Sequence, residues 1–316
     1  MRNRWPAQME ARTSLRWIKP QRDWGSYSAL PQTLEKPVTY RSLLVFLDQD
    51  PLCAARTQIA IQLAMALDCH LVGVAPTGLV NLPVSQQIAP SLEKLSAMAW
   101  SALRGQAEQA TERFRQECRA AGVKSVEAVV DESEQAQSLV RHAHCSDLTV
   151  MTQADPTAPG HRVAQSLVEQ VVLYGARPTL ILPYAGRFAT VGRNVLVAWD
   201  DSREAARALS DALPLLRLAE RVQVISWSEG GNDVKTLRPR LAALSQWLKW
   251  QGVSADLRVE ASDIGVADTM LSRAADLSAD LIVMGAYGHA RWTERVLGGA
   301  TRGLLTTMTL PVLMSH

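Results

Sequence analysis

The chain has 316 residues, of which 47% are hydrophobic and 20% are charged. The length fits two domains, and this globular composition excludes a disordered chain, a collagen-like repeat and a small disulfide scaffold. The 33 Lys and Arg nearly balance the 31 Asp and Glu. The chain therefore lacks the strong positive electrostatic field that would favour nucleic acid or an anionic membrane as its main partner.

The basic residues are concentrated at the N-terminus, where residues 1–40 hold seven Lys or Arg and three Asp or Glu. Residues 1–37 lack the apolar core of a secretory signal, and no apolar run is long enough to span a bilayer. We expect 1–37 to be a basic, disordered extension, with a Trp-bearing docking segment as the alternative. No C-x-x-C pair or zinc spacing occurs among the cysteines, so we expect no metal site and reduced, mostly buried thiols of a cytoplasmic protein. The cysteines are Cys53, Cys69, Cys118 and Cys145.

A repeat divides the rest of the chain into two copies, and internal repeats decide domain organisation. Two pairs of apolar segments share an offset of 133 residues, and an apolar run ending in Asp and an Ala-Ala-Arg triplet also recur. The first copy needs one additional residue before its triplet. We therefore predict a domain at 38–185 and a second at 190–316. The matching pairs are Ser42–Asp48 with Asn194–Asp200, Ala54–Arg56 with Ala205–Arg207, Asp147–Met151 with Asp280–Met284, and Pro178–Leu182 with Pro311–Ser315.

Short apolar runs alternate with helical patterns in the second copy. The stripe that begins at Ala205 predicts a helix, with Asp201 or Ser202 as its N-cap. Three further helices are predicted, along Leu237–Leu248, at Ala267–Leu277 and near Thr301–Met308. This alternation predicts two tandem α/β domains, each a doubly wound, Rossmann-like sheet of five parallel strands in the order 3-2-1-4-5. The strands are predicted at 195–199, 222–226, 255–259, 281–284 and 312–314.

The segment after the fourth strand of the second copy is the best candidate for a ligand site. Gly285, Gly288, Gly298 and Gly299 lie within fifteen residues, between a strand and a helix. Glycine allows close approach of backbone to a ligand, and a helix N-terminus presents N–H groups to phosphate. Ligands of open parallel sheets bind beyond the carboxyl ends of the strands, where Asp200 also lies. The alternative is a tight turn and close helix–sheet packing without a ligand.

The spacing Gly-x2-Gly-x9-Gly at 285–298 resembles the nucleotide motif of the universal stress protein family, and Val197–Ser202 and Leu310–Met314 fit the same family. The resemblance covers about 40–185 and 190–316. It implies a tandem universal stress protein whose second domain binds ATP or a related adenine nucleotide and acts in stress-response regulation. The sequence does not determine whether Mg²⁺ accompanies the nucleotide, or which protein is the partner. The residues that the resemblance assigns to the nucleotide are Trp199, Asp200 at the ribose, Met284, Gly285, Tyr287, Gly288, Gly298, Gly299, Ala300 and Thr301.

Two departures from the family pattern affect this expectation. Many nucleotide-binding members have Ser or Thr where this chain has Gly299, and losing that hydroxyl costs about 1 kcal/mol or somewhat more. In the first copy all four glycines are replaced, and a carboxylate among the replacements would repel phosphate. We therefore predict that the first copy binds no nucleotide. The replacing residues are Thr152, Asp155, Gln165 and Ser166.

No nucleophile–base pattern, P-loop or metal motif is present, so we predict a binding module without catalytic residues. A nucleotide-free interaction scaffold and a slow ATP-using enzyme are the alternatives. Trp199 is expected beside the nucleotide crevice or in the core, and Tyr287 at the base or in solvent. In the family the edges of strand five pair, so Leu180–Leu182 and Val312–Met314 are expected to pair within the chain about a pseudo-twofold axis.

Overall fold

The computed structural model describes residues 39–78, 90–228, 234–261, 265–288 and 299–316. Val38–His316 form one compact unit. The predicted N-terminal extension, 1–37, and Gly298 of the glycine motif lie outside the described residues.

Strands and helices alternate within each half of the described chain, as the hydrophobic pattern predicts. The first half contains β1 (Ser42–Phe46), α1 (Leu52–Leu67), β2 (His70–Pro76), α2 (Pro90–Ala121), β3 (Val126–Asp131), α3 (Gln135–Ala143), β4 (Leu148–Thr152), α4 (His161–Tyr174) and β5 (Thr179–Leu182). The second half contains β6 (Asn194–Ala198), α5 (Arg203–Leu216), β7 (Arg221–Ser228), α6 (Val234–Trp250), β8 (Asp256–Ala261), α7 (Val266–Asp276), β9 (Leu281–Gly285), α8 (Gly299–Thr307) and β10 (Val312–Ser315).

The strands form one ten-stranded sheet in the order β3-β2-β1-β4-β5-β10-β9-β6-β7-β8. Each half has the predicted order 3-2-1-4-5, and its strands are parallel. The two halves are not separate sheets, because β5 and β10 pair antiparallel and join them. Leu313 lies opposite Leu180, and Val312 lies opposite Ile181. The predicted pairing of the strand-five edges is confirmed, and it removes two apolar edges that would invite aggregation.

Helices cover both faces of the sheet, which explains why its strands are apolar on both sides. In β1, Leu43 and Val45 pack on the face covered by α1, α2, α5 and α6. Leu44 and Phe46 pack on the opposite face, with α3, α4, α7 and α8. The predicted stripe of α5 is buried as expected; it consists of Ala205, Ala208, Leu209, Ala212 and Leu213.

The two halves anchor their first strands in the same way. Asp147, just before β4, accepts a hydrogen bond from the backbone N–H of Ser42 at 3.0 Å. Asp280, just before β9, accepts one from the N–H of Asn194 at 2.8 Å. The sequence match at these positions therefore corresponds to a matching structural role, in which a carboxylate fixes the start of the neighbouring strand.

The Ala-Ala-Arg triplets begin at the third residue of α1 and of α5, but their arginines differ in burial. Arg56 is buried on the sheet side of α1, whereas the side chain of Arg207 is 47% exposed and pairs with Asp211. The connection from β1 to α1 is one residue longer than the connection from β6 to α5, as the sequence match predicts. The two helices therefore present their triplets to the sheet at different rotations.

Asp131 ties the end of β3 to α3. Its side chain is 9% exposed and accepts hydrogen bonds from Ser138 at 2.6 Å, Ser133 at 2.7 Å and Arg141 at 2.6 Å. Burial opposes ionisation, but the hydrogen bonds from these three residues and the charge of Arg141 outweigh it and lower the pKa of Asp131 to about 2. The ionised carboxylate therefore stabilises the folded state.

Candidate functional site

The carboxyl ends of β6 and β9 form the edge at which the sequence predicts the ligand. The two strands are parallel neighbours, with Val197 opposite Val283. From β6 the chain winds to β7 and β8 in one direction, and β9 and β10 lie in the other. This is the topological switch point of the second half, the place where open α/β sheets bind ligands.

Asp200 lies exposed at this edge, just after β6. Its Oδ1 accepts hydrogen bonds from the N–H and the hydroxyl of Ser202, at 3.0 and 2.6 Å. The Oγ of Ser202 in turn accepts from the N–H of Ala205 at 3.1 Å, so Ser202 is the N-cap of α5. Of the two predicted caps, Ser202 is therefore correct, and Asp200 orients it.

Gly285 and Gly288 form a turn that packs directly on the first turn of α5. A Cβ at Gly285 would lie 2.5 Å from the backbone nitrogen of Ala205 and 2.6 Å from the carbonyl carbon of Glu204. A Cβ at Gly288 would lie 2.8 Å from Oε2 of Glu204. Close helix–strand packing thus accounts for Gly285, which is the alternative considered from the sequence.

Glu204 is a buried carboxylate at this edge that the sequence did not predict. Its side chain is 5% exposed and pairs with Nε of Arg203. Burial disfavours its ionisation, but the hydrogen bond and charge of Arg203 prevail and lower the pKa of Glu204. A buried carboxylate beside Gly288 disfavours a phosphate at that point. The sequence feature that could have pointed to it is an acidic residue in the first turn of the predicted helix.

The turn is also tied to the start of α8 and to the C-terminus. Tyr287 has a left-handed backbone, with φ of 58°, and its N–H donates to Oγ1 of Thr301 at 3.2 Å. The Thr301 hydroxyl thus accepts one protein hydrogen bond, which leaves its O–H as a donor. The ring of Tyr287 packs edge-on to His316 at 6.4 Å between centroids. It is half-buried against the core, not in solvent.

The remaining predicted site residues are separated by the sheet. Met284 is buried on the α7 and α8 face. Trp199 is buried on the opposite face, among the side chains of α5 and α6. Of the two positions expected for it, beside the crevice or in the core, this is the core position. Gly299 and Ala300 form the first turn of α8.

The corresponding edge of the first half contains a buried arginine that the sequence did not reveal. Arg56 is 2% exposed. Its guanidinium donates to the carbonyl of Phe46 at 2.6 Å, to Oγ1 of Thr152 at 2.8 Å and to Asp48 at 2.5 Å. Burial outweighs the charge of Arg56 and raises the pKa of Asp48. Asp48, the counterpart of Asp200, is thus engaged by the protein itself.

A crevice of about 90 Å³ lies above this arginine. Thr152 and Asp155, two residues that replace the glycines, line it. Asp155 accepts hydrogen bonds from the hydroxyl and N–H of Thr157, at 2.7 and 2.8 Å, and these lower its pKa. An ionised carboxylate at this position repels an anion.

Among the described residues, three or more His, Cys, Asp or Glu side chains nowhere assemble into a group able to hold a metal ion. In the same part of the chain, every helix is too short or too polar to cross a membrane. Three of the four cysteines are buried, as expected, and Cys145 is exposed.

Comparison with known proteins finds a family match in the second half. Residues 192–316 match the model of the universal stress protein family. No curated protein matches the chain. A universal stress protein from Archaeoglobus fulgidus is similar in structure, with 18% identity and a TM-score of 0.65, covering 87% of this chain and 95% of that one. A protein of unknown function from Pseudomonas aeruginosa has 19% identity and a TM-score of 0.55, covering 87% and 92%. At these identities the structural similarity shows the fold.

Proposed function

We propose that residues 192–316, which match the universal stress protein family, bind an adenine nucleotide, and that residues 38–185 form a second copy of the domain that does not. The observation that carries this proposal is the meeting of the loops after β6 and β9 at the switch point, with Asp200 exposed between them. These two loops contain the family motif, whereas at the equivalent edge of the first half Asp48 is paired with Arg56 and the glycines are replaced.

Each element supplies a different part of such a site. Asp200 is placed to accept hydrogen bonds from a ribose, because its carboxylate is exposed and its loop is fixed by Ser202. The turn at Met284–Gly288 provides the wall beside the base. The first turn of α8, at Gly299, provides N–H groups and the positive end of a helix dipole for phosphate.

The same geometry predicts modest affinity for ATP. Gly299 has no side chain that could donate to a phosphate, and Glu204 places a carboxylate beside Gly288. The missing hydroxyl costs about 1 kcal/mol or somewhat more, which is several-fold in affinity. We propose a regulatory module in which the bound nucleotide changes the affinity for a protein partner.

A titration with a fluorescent ATP analogue tests the proposal. We expect saturable binding that D200A weakens about tenfold and that its counterpart D48A leaves unchanged. Loss of binding in D48A with retention in D200A would reverse the assignment of the two halves. Equal loss in both variants, with the fold intact by circular dichroism, would indicate a general effect on the sheet.

The second candidate function is an interaction scaffold without a nucleotide. The contact of Gly285 with Ala205 favours it, since that contact explains the glycine without a ligand. The absence of saturable binding at millimolar ATP would support the scaffold. Turnover of ATP that depends on one side chain of the second half would instead favour an enzyme.

A further inference from the structure

A polar groove lies between α4 of the first half and α8 of the second. It has a volume of about 380 Å³ and is separate from the turn at Gly285. Five of its lining residues belong to α4 and one to α8, so both halves contribute to it. The lining residues are His161, Arg162, Gln165, Ser166, Glu169 and Arg302.

The groove has an excess of positive charge. Arg162 and Arg302 are exposed, and no hydrogen bond or ion pair with another described residue engages either guanidinium. The one carboxylate of the lining, Glu169, already accepts a hydrogen bond from Gln165 at 3.0 Å. Two cations that line one groove repel each other, and a bound anion would relieve this repulsion.

Besides the arginines and Glu169, the lining offers two polar groups that can donate to an anion. They are the Ser166 hydroxyl and the His161 ring, which face the same groove. A hydroxyl O–H and an imidazole N–H are both donors that a phosphate oxygen can accept from.

We propose that the groove between α4 and α8 binds a phosphate-bearing anion, with Arg162 and Arg302 as its charged contacts from the two halves. Arginine suits this role because its planar guanidinium can donate two parallel hydrogen bonds to a phosphate. An anion held by both helices links the halves across the β5–β10 junction. Phosphate should therefore raise the thermal stability of the chain beyond the effect of ionic strength.

The phosphate could be free in solution or belong to a nucleotide bound in the second half, since Arg302 follows Thr301 directly. Titrations with inorganic phosphate, ATP and adenosine distinguish these sources. If the site takes free phosphate, phosphate binds equally well with and without saturating ATP. If it takes the phosphates of the nucleotide, R162A weakens the binding of ATP but not that of adenosine, and ATP competes with inorganic phosphate.

The decisive measurement is calorimetric titration of the full chain with inorganic phosphate, without nucleotide and with ionic strength held constant by chloride. We expect millimolar binding that R162A and R302A each weaken about tenfold. R258A is the matched control, because Arg258 is also exposed and without a described partner, on β8. Both arginines of the groove are exposed, so we expect their variants to fold.

Two results would overturn the proposal. One is no heat of binding and no rise in melting temperature with phosphate in the wild-type chain. The other is equal phosphate affinity in R162A, R302A and R258A. Neither result bears on the proposed nucleotide site, which is tested separately by the effect of D200A on the binding of an adenine nucleotide.

Discussion

Replacing Gly285 by alanine tests whether the turn after β9 is determined by packing on α5. The new Cβ would lie 2.5 Å from the nitrogen of Ala205, whereas ordinary contact begins at 3.4 Å. The helix and the strand must therefore separate by roughly 1 Å. Since both neighbouring atoms are backbone, no side-chain rotation can relieve the contact, and we expect the upper end of the overpacking range, about 3 kcal/mol.

Thermal and urea unfolding, followed by circular dichroism, measure this loss. A cost of about 3 kcal/mol lowers the melting temperature by roughly 5–10 °C in a chain of this size. G288A should cost less, because its close neighbour is the end of the flexible side chain of Glu204. G105A is the control: nothing lies within 4 Å of a Cβ there, and alanine in a helix should stabilise by about 0.5–1 kcal/mol.

The expected order of stability is G105A, then wild type, then G288A, then G285A. If G285A unfolds within about 0.5 kcal/mol of the wild type, close packing does not explain this glycine. A G285A variant that keeps its stability but loses nucleotide binding would assign Gly285 to the ligand instead.

Three further predictions concern the junction and the buried charges. R56A should destabilise the chain by about 3 kcal/mol in urea unfolding, because it leaves the half-buried Asp48 without its cation and the Phe46 carbonyl without its donor. R207A is the control, because Arg207 is 47% exposed, and equal effects would contradict the burial of Arg56. D131N should lower the free energy of unfolding by about 2 kcal/mol near neutral pH. The difference from the wild type should shrink as the pH falls from about 4 to about 2, because Asp131 then becomes protonated in the folded state. A difference that stays constant with pH would refute its ionic origin. L313P should break the β5–β10 ladder and lower the melting temperature, and an unchanged melting temperature would show that this pairing contributes little.

The sequence alone was sufficient for the elements and their order. Apolar runs at Val195 and Leu281 predict strands buried on both faces, and the stripe beginning at Ala205 predicts α5, because periodicity reports local burial. The N-cap of α5 was predicted at Asp201 or Ser202, and the structure has it at Ser202. The pairing of Leu180–Leu182 with Val312–Met314 followed from the family resemblance and the strand order, since an apolar edge strand requires a partner; the register came only from the structure.

The tertiary structure alone determined the environment of the candidate site. No local pattern shows that Glu204 packs against Gly288, because the two are joined only when α5 lies on β9. The burial of Arg56 was hidden for a related reason. Its triplet matches that of Arg207 in sequence, but Arg56 faces the sheet from α1, whereas Arg207 lies on the exposed side of α5. Periodicity tells which residues of a helix are buried, whereas the neighbour that each one meets depends on the packing of segments far apart in the chain.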